Sequence, residues 1–435
     1  MTPRATAPAI SRRQILRSIV ASAGLSVISP GLAFARQTFS MTTDDESFLD
    51  ELERQGALYF WEQASPHTGQ VLDRARHDLG GRRDPRRMAS IAATGFGLTA
   101  LCIADKRGYL PHAQVLERVR TTLAWHLNQM PEVHGFLYHF TDIETGERFR
   151  QSEVSSIDTA ILLCGALTAK GYFDDPQISR LAQQLYERAN WSWLLNGGST
   201  FSMGWRPEDG FLRDRWDHYC ELMMIYLLAI GSPSHPVSPE LWSHFARPEI
   251  HFQGYTYISG TDPIFTHQFS HAWFDFRNQR DAYANYFENS VLATKAHKAF
   301  CMAHPEWFNR NYWGVTASDS LYGYRGWGGP PAMGPLDGSV VPSAAAGSLP
   351  FLPGDCLSVL RALRSNWASR AWTRYGFVDA FHPAANWYDA DIVGIDQGIS
   401  VMMAENLRSG TVWNAFMSNP EPVQAMHLAG FRREV

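Results

Sequence analysis

The sequence of 435 residues lacks several features that mark common classes of protein. It contains no phosphate-binding loop, no dinucleotide fingerprint and no G-x-S-x-G nucleophile motif. Beyond residue 35 no stretch reaches the roughly 20 uninterrupted apolar residues that a membrane-spanning helix requires. Charged residues make up only 19% of the chain, and 38 basic against 43 acidic side chains give a net charge of −5. We therefore expect neither membrane insertion nor binding to nucleic acid.

Polar residues are also scarce between residues 19 and 32, directly after a twin-arginine pattern at residues 11–16 (SRRQIL). A small-x-small cleavage site follows at residues 33–35 (AFA). Residues 1–35 are therefore predicted to be a twin-arginine signal peptide, and the mature protein is predicted to be periplasmic or secreted. The long Gly/Pro-rich stretch at 326–354 is interleaved with apolar side chains, which is typical of an ordered loop rather than a linker. Residues 36–435 are accordingly predicted to form a single domain.

Cysteines are few and scattered, and none of the five belongs to a C-x-x-C pair. An odd number of cysteines in an exported chain raises the question of a reactive thiol. Twin-arginine export carries proteins that have already folded among reduced thiols, and the neighbours of these cysteines are apolar. We therefore expect five buried thiols.

Apolar segments alternate with amphipathic ones along the chain, and strand-like alternation is confined to places such as 135–140 and 252–258. No period of 20 to 50 residues is visible that would mark a solenoid. The pattern predicts an all-α fold, an (α/α)6 barrel (toroid) with long loops forming a substrate cleft on one face. The predicted helices are 44–62, 90–104, 112–130, 154–169, 176–190, 221–231, 239–246, 290–304, 353–372 and 399–406.

Three of the most apolar helices follow an acidic residue: Glu153, Glu221 or Asp396. The inner helices of an α/α barrel run parallel, so these acids are expected around one mouth. Acids at helix N-termini have an ordinary explanation as caps, each contributing about 0.3–1 kcal/mol, but caps normally lie at the surface. Glycoside hydrolysis needs two such carboxyl groups. The apolar neighbours of Glu221 suit a general acid, and the polar, glycine-rich surroundings of Asp396 suit a base.

Aromatic side chains are abundant, with 15 Trp and 16 Tyr, and several lie in loops that are rich in polar residues. Sugar rings stack on such rings, although aromatic residues more often belong to a core. The predicted substrate-binding aromatics are Trp205, Trp273, Trp313, Tyr324, Trp327, Trp387 and Tyr388.

His267 and His271 are spaced i, i+4, which can place both on one helix face. The intervening residues lack the glutamate of a zinc protease motif, so these histidines are predicted to bind substrate or to pack in the core rather than to hold a metal. Asp275 and Arg277, in the same segment, are included in the predicted substrate-binding set. No cofactor is predicted.

Several long motifs make the sequence resemble one known family. The motifs are SEVSSIDTA (152–160), ELMMIYLLAIGSPSHP (221–236), TDPIFTHQFSHAWFDF (261–276), YWGVTASDSLYGYRGWGGPP (312–331), DGSVVPSAAAGSLPF (337–351) and RYGFVDAFHPAANWYDADIVGIDQG (374–398). Together they resemble the glucoamylase-like domain of bacterial β-1,2-glucanases, glycoside hydrolase family 144, over essentially the whole mature chain.

The resemblance implies an (α/α)6 barrel that hydrolyses β-1,2-linked glucose chains to short sophoro-oligosaccharides without a metal, usually by endo cleavage with inversion. It implies that Glu221 is important for activity and that Asp396 or Asp391 is the base. Glu153 and Asp158 match the remaining acidic positions of the family. A related branch, the transglycosylation domain of cyclic β-1,2-glucan synthases, forms a glycosyl-enzyme, so a retaining transglycosylase is one alternative.

Two further alternatives are a catalytically silent protein that binds periplasmic glucans and an α/α barrel that acts on another polysaccharide. In each of them the partner is a glycan chain, and the protein is expected to be a monomer.

Overall fold

Helices dominate the computed structural model, which describes residues 39–434. The predicted signal peptide lies outside the described residues. From Thr42 to Val435 the chain forms one compact unit. The α-helices are α1 Thr43–Glu62, α2 Ile91–Arg107, α3 His112–Asn128, α4 Ser156–Tyr172, α5 Pro176–Arg188, α6 Trp191–Leu195, α7 Met223–Ile230, α8 Phe269–Trp273, α9 Tyr286–Met302, α10 Pro342–Ala346, α11 Pro353–Ala371, α12 Gly394–Arg408, α13 Thr411–Met417 and α14 Pro420–Leu428.

Short strands connect these helices, and each pairs in antiparallel ladders of two or three strands. They are β1 Val71–Leu72, β2 Arg74–Arg76, β3 Met88–Ser90, β4 Glu132–Val133, β5 Phe136–Leu137, β6 Phe140–Asp142, β7 Val154–Ser155, β8 Phe201–Ser202, β9 Gly204–Arg206, β10 Gly210–Phe211, β11 Arg215–Trp216, β12 Glu249–Phe252, β13 Tyr255–Ile258, β14 Gln279–Arg280, β15 Trp372–Thr373, β16 Gly376–Phe377, β17 Phe381–His382, β18 Trp387–Tyr388, β19 Asp391–Val393 and β20 Arg432–Arg433.

The helices differ in how much of their surface is buried, as the sequence predicts. Helix α2 is buried at every position from Ile91 to Ala104, and α7 is buried throughout. Helix α5 instead buries one stripe of an amphipathic surface. A helix without a polar face needs neighbours on all sides, so α2, α4, α7 and most of α12 form the interior.

The interior helices follow one another in a closed order. Helix α12 contacts α2, α2 contacts α4, and α4 contacts α7. Ser270 of α8 bonds to the start of α7, because its Oγ donates to Glu221 O (2.8 Å) and accepts from Met224 N (3.1 Å). Gln268 Nε2, just before α8, donates to Ala344 O of α10 (3.0 Å), and α10 contacts α12. Helices α1, α3, α5, α11 and α14 pack against this set. Helix α9 is joined to α8, because Ser290 Oγ bonds to His271 Nε2 (3.1 Å).

The predominance of helix is confirmed, but several helices escaped prediction. Helices α8 and α10 have only five residues each, too few for a periodic pattern to show, and α13 and α14 were also missed. The segment 239–246, predicted to be helical, contains only a 3-10 turn at Pro239–Ser243.

All five cysteines are buried. Within residues 39–434, no helix has the length and apolar character to cross a bilayer.

Candidate active site

The starts of α12, α2 and α4 are joined side by side through backbone hydrogen bonds. Residues distant in sequence meet here because the short strand before each helix pairs with a strand from elsewhere in the chain: β19 with β2, β3 with β1 and β6, and β7 with β9. Four backbone hydrogen bonds cross this surface. Gly394 N–H donates to Asp73 O (2.8 Å), and Asp73 N–H donates to Met88 O (3.0 Å). Ile91 N–H donates to His139 O (3.3 Å), and His139 N–H donates to Glu153 O (2.8 Å).

Glu221 precedes α7 by two residues and is 6% exposed. Its neighbours Tyr219, Cys220 and Leu222 are fully buried, which gives it the apolar surroundings that the sequence predicted. Trp216, five residues earlier, donates its indole N–H to Ser156 Oγ at the start of α4 (2.7 Å). The strand that leads to Glu221 and α7 is therefore tied to the start of α4, three residues after Glu153.

Glu153 lies between two basic side chains. His139 Nδ1 is 3.1 Å from Glu153 Oε1, and Arg206 Nη2 is 3.7 Å from Glu153 Oε2. Burial raises the pKa of Glu153, but the hydrogen bond and charge of His139 and the charge of Arg206 outweigh it and bring the pKa to about 2. Glu153 is therefore ionised at any pH at which the protein is expected to work.

Asp158, in the first turn of α4, is held by a reciprocal cap. Ser155 Oγ–H donates to Asp158 Oδ2 (2.6 Å), and Asp158 N–H donates to Ser155 Oγ (3.2 Å). The other oxygen, Oδ1, lies 3.5 Å from His139 Nε2. The structure thus brings Glu153 and Asp158 together on either side of one histidine.

Asp396 lies in the first turn of α12 and is 5% exposed, so it occupies a more enclosed place than its glycine-rich neighbours suggested. Its carboxyl group hydrogen-bonds with that of Asp379. Burial, followed by the charges of Asp396 and Asp319, raises the pKa of Asp379 far above its ordinary value. The raised pKa favours the protonated form of Asp379, which can donate a hydrogen bond to Asp396.

Two further acids, Asp319 and Asp389, lie beside Asp379 of that pair. One oxygen each of Asp319, Asp379 and Asp389 lies within 4.8 Å of the others, a spacing at which carboxylates can hold a cation. Burial, followed by the charge of Asp319, raises the pKa of Asp389 to about 7. Arg74 already supplies positive charge, since its Nη1 is 2.5 Å from Asp319 Oδ2. We interpret this cluster as three carboxyl groups, two of them with raised pKa values, beside the positive charge of Arg74, and assign it no metal.

Asp391, the alternative base, makes a different contact. Both of its oxygens accept from Arg86, at 2.7 and 2.8 Å, and the same guanidinium bonds to Asp84. A bidentate ion pair fixes and occupies a carboxylate. This geometry favours Asp396 over Asp391 as the base.

Some of the predicted aromatic residues lie beside the acids. Trp205 is partly buried in β9, which pairs with β7 next to Glu153. Trp387 and Tyr388 form β18 directly before Asp389 and are partly buried. Tyr324 is 38% exposed in the hairpin that carries Asp319.

Other predicted substrate-binding aromatics are enclosed. Trp273 is fully buried and donates its indole N–H to Thr99 Oγ1 (3.1 Å) in the core. Trp313 is 2% exposed, and Trp327 is 4% exposed with its indole N–H on Ser318 Oγ (3.2 Å). For these three, the alternative of core packing describes the structure, because their rings are covered by protein.

The two histidines do not share a helix face, because the chain changes from a 3-10 turn at Ile264–His267 to α8 at Phe269. His267 Nδ1 bonds to the Tyr219 hydroxyl (3.2 Å), and His271 Nε2 bonds to Ser290 Oγ (3.1 Å). Burial, aided by a neighbouring histidine, lowers the pKa of each to about 3. They are core histidines, the second of the two readings that the sequence left open.

Asp275 and Arg277 lie away from the acids. They pair with each other at 2.7 Å, and the Arg277 guanidinium stacks 3.9 Å from the ring of Trp413 in α13. That helix follows the C-terminal end of α12, opposite to the end that carries Asp396. The structure does not bring these two residues to the site.

Sequence reasoning missed several residues that contact the predicted acids. Their backbone positions depend on pairing between short strands, which leaves no periodic signal. The density of acids within VDAFHPAANWYDADIVG was the available indication for two of them. The missed residues are Arg74, His139, Arg206, Asp319, Asp379 and Asp389.

A predominantly helical fold whose buried helix starts carry carboxyl groups beside aromatic rings is typical of helical glycoside hydrolases. Comparisons with known proteins narrow this class. Residues 213–420 match the family model described as "Putative glucoamylase".

Two relatives cover most of this chain. The exo β-1,2-glucooligosaccharide sophorohydrolase (non-reducing end) of Parabacteroides distasonis is 28% identical over 434 residues. That match covers 88% of this chain but only 58% of the relative. The endo-β-1,2-glucanase of Chitinophaga pinensis, solved with sophorotriose and glucose, superposes with a TM-score of 0.83 at 27% identity, covering 89% of this chain and 98% of that one.

The endo-β-1,2-glucanase of Talaromyces funiculosus gives a TM-score of 0.61 at 11% identity, covering 89% of this chain and 90% of that one, which is a likeness of fold alone. The resemblance seen in the motifs is confirmed: residues 213–420 match the glucoamylase family model, and most of the chain is similar to the two bacterial enzymes named for β-1,2-linked glucans.

Proposed function

We propose that this protein is a glycoside hydrolase that cleaves β-1,2-glucan. The observation that carries the proposal is the placement of four acids at the starts of interior helices: Glu153 just before α4 and Asp158 in its first turn, Glu221 just before α7, and Asp396 in the first turn of α12. Two relatives that cover most of the chain are named for activity on β-1,2-linked glucose. Both support the same substrate.

The proposed architecture is an (α/α)6 barrel. Its support is the closed order of α2, α4, α7, α8, α10 and α12, with a second set of six helices packed against them. In this arrangement the acids surround one mouth, and the loops that carry Trp205, Tyr324 and Tyr388 border a substrate cleft.

In the proposed reaction Glu221 donates a proton to the glycosidic oxygen while Asp396 accepts a proton from the attacking water. The C–O bond to the leaving sugar breaks as the bond from water to the anomeric carbon forms, which inverts the anomeric configuration. Glu153 is ionised and cannot be the proton donor. We assign Glu153 and Asp158 to accepting hydrogen bonds from sugar hydroxyl groups.

The test is the release of new reducing ends from linear β-1,2-glucan, with Glu221→Gln beside the unmodified protein. We expect the unmodified protein to cleave the glucan, and Glu221→Gln to lose at least about 10³-fold in kcat while still binding it. Full activity in Glu221→Gln would remove this residue from the mechanism. Binding without cleavage by the unmodified protein would favour a glucan-binding protein.

The products distinguish the remaining alternatives. Endo cleavage gives sophoro-oligosaccharides of mixed length, whereas exo cleavage would release one short product. The Parabacteroides relative is named as an exo enzyme. An α-anomer formed first supports inversion, and a β-anomer would support the retaining transglycosylase.

The cellular location and the oligomeric state of the protein are part of the same proposal. The twin-arginine pattern at residues 11–16 supports export to the periplasm or beyond, where the protein would act as a monomer on glucan chains. Cell fractionation and light scattering of the mature protein test these two points.

A further inference from the structure

A histidine that the sequence analysis did not single out lies between two carboxylates of the site. His139 Nδ1 is 3.1 Å from Glu153 Oε1, and His139 Nε2 is 3.5 Å from Asp158 Oδ1. Only 12% of its side chain is exposed. Each nitrogen of one imidazole ring therefore faces a carboxylate.

This placement bears on the charge of the ring. A neutral imidazole has one N–H and one lone pair, so one of its nitrogens would direct a lone pair at a carboxylate oxygen. An imidazolium donates from both nitrogens. The ring also stacks on Phe140, with 3.8 Å between centroids and 20° between planes, and an aromatic face attracts a cation.

The backbone fixes the position of the ring. His139 N–H donates to Glu153 O (2.8 Å), and His139 O accepts from Ile91 N at the start of α2 (3.3 Å). The histidine therefore moves only with the helix starts that carry the site.

The surrounding charges balance when the ring is charged. Glu153 also contacts Arg206 Nη2 at 3.7 Å, and Asp158 Oδ2 accepts from Ser155 Oγ at 2.6 Å. Farther out, Arg148 is paired with Glu208. Two carboxylates thus face one arginine and one histidine, and neutrality requires the imidazolium.

We propose that His139 is a positioning residue which, as an imidazolium, holds the carboxyl groups of Glu153 and Asp158 in place on either side of its ring. The proposal rests on the proposed function, in which these carboxylates bind sugar hydroxyl groups. His139 acts through them and does not touch the reacting atoms.

The first test needs no activity. In protein labelled with ¹⁵N-histidine, NMR at pH 7 should show both His139 ring nitrogens protonated. In Glu153→Gln, the pH at which His139 loses its proton should fall by at least about one unit, because one anionic partner is gone. Glu249→Gln is the matched control, since Glu249 pairs with a different, exposed histidine, His251, at 3.1 Å.

A neutral His139 at pH 7, or the same titration midpoint in Glu153→Gln as in the unmodified protein, would overturn the proposal. If the titration midpoint of His139 shifted by the same amount in Glu249→Gln, the proposal would also be overturned, because the effect would then be nonspecific. These outcomes are independent of glucan cleavage, so failure of the proposed function would be seen separately.

The second test is kinetic. His139→Gln should raise KM for β-1,2-glucan at least about tenfold while kcat stays within about threefold, because the clamped carboxylates bind substrate. In the double variant of His139→Gln and Glu153→Gln, KM should rise by less than the product of the two single-variant increases, since His139 acts partly through Glu153. KM increases that multiply fully in the double variant, or a loss confined to kcat, would contradict this role. If His139→Gln fails to fold, the NMR comparison of Glu153→Gln with the unmodified protein still tests the proposal.

Discussion

Asp391 and Asp396 are five positions apart, yet their carboxyl groups have different chemical partners. Arg86 occupies both oxygens of Asp391, whereas Asp396 shares a hydrogen bond with the carboxyl group of Asp379. A base must accept a proton during the reaction, which a carboxylate held by a bidentate arginine does poorly.

We expect Asp396→Asn to lower kcat on β-1,2-glucan by about 10²–10⁴-fold, because the proton acceptor is lost. Asp391→Asn is the matched control, and it should retain kcat within about tenfold while the contact with Arg86 weakens. Steady-state kinetics on both variants, with thermal unfolding to verify folding, makes the comparison. The reverse order of the two losses would assign the base to Asp391.

At the residue scale, the acids that begin helices were predictable because their signal is local. Glu153, Glu221 and Asp396 each stand beside an apolar helix within a few positions. His139, Asp319 and Asp379 reach the site through strand pairs, and no local pattern records which distant strand will pair. The sequence likewise does not reveal that Trp273 meets Thr99, more than 170 positions away, in the core.

Among the secondary-structure elements, α2 and α4 approach each other through glycine. A Cβ at Gly165 would overlap the backbone carbonyl oxygen of Gly95, and a Cβ at Gly95 would overlap that of Ile161. Backbone atoms cannot move aside as a flexible side chain can. These glycines set how closely two helix starts of the site can lie.

Gly165→Ala should therefore destabilise the protein by about 2 kcal/mol or more, since the helices must separate. Gly326→Ala is the control, because a Cβ there meets no atom within 4 Å. Chemical denaturation measures both free energies of unfolding. Equal stability of the two variants would mean that the helices separate without cost.

At this scale, the long helices were predictable to within a few residues because burial on one side, or on all sides, repeats over several turns. The five-residue helices α8 and α10 were not, because one turn carries no period. The same limit applies to His267 and His271, whose i, i+4 spacing fits one continuous helix, whereas the chain changes from a 3-10 turn to α8 between them.

On the scale of the whole molecule, burial depresses the pKa of four histidines. The pKa is about 4 for His126 and His297 and about 3 for His267 and His271. In the unfolded chain these groups titrate near 6.5. Between those values the unfolded state binds more protons, so the free energy of unfolding falls as the pH falls below about 6.5.

Asp389 has the opposite effect over much of the same range. Its pKa is raised to about 7, so the stability that it contributes is complete below the unfolded-state pKa of about 4 and is lost as the pH rises to about 7. Four histidines outweigh this one acid below about pH 6.5, and we therefore expect the melting temperature to be highest near pH 6.5. At pH 5.5 each buried histidine should cost on the order of 1 kcal/mol. A melting temperature that stays constant between pH 7 and pH 5 would contradict this prediction, and His251→Gln, at an exposed histidine, is the control variant.

The hydrogen bonds from Gly394 through Asp73, Met88, Ile91 and His139 to Glu153 join segments that span most of the described chain. A contiguous fragment must run at least from residue 73 to residue 394 to contain all of these partners. The hydrogen-bonded backbone that carries the acids therefore forms only when the early and late parts of the chain have docked. A truncated or cleaved product would lose the alignment of its carboxyl groups before it lost its helices.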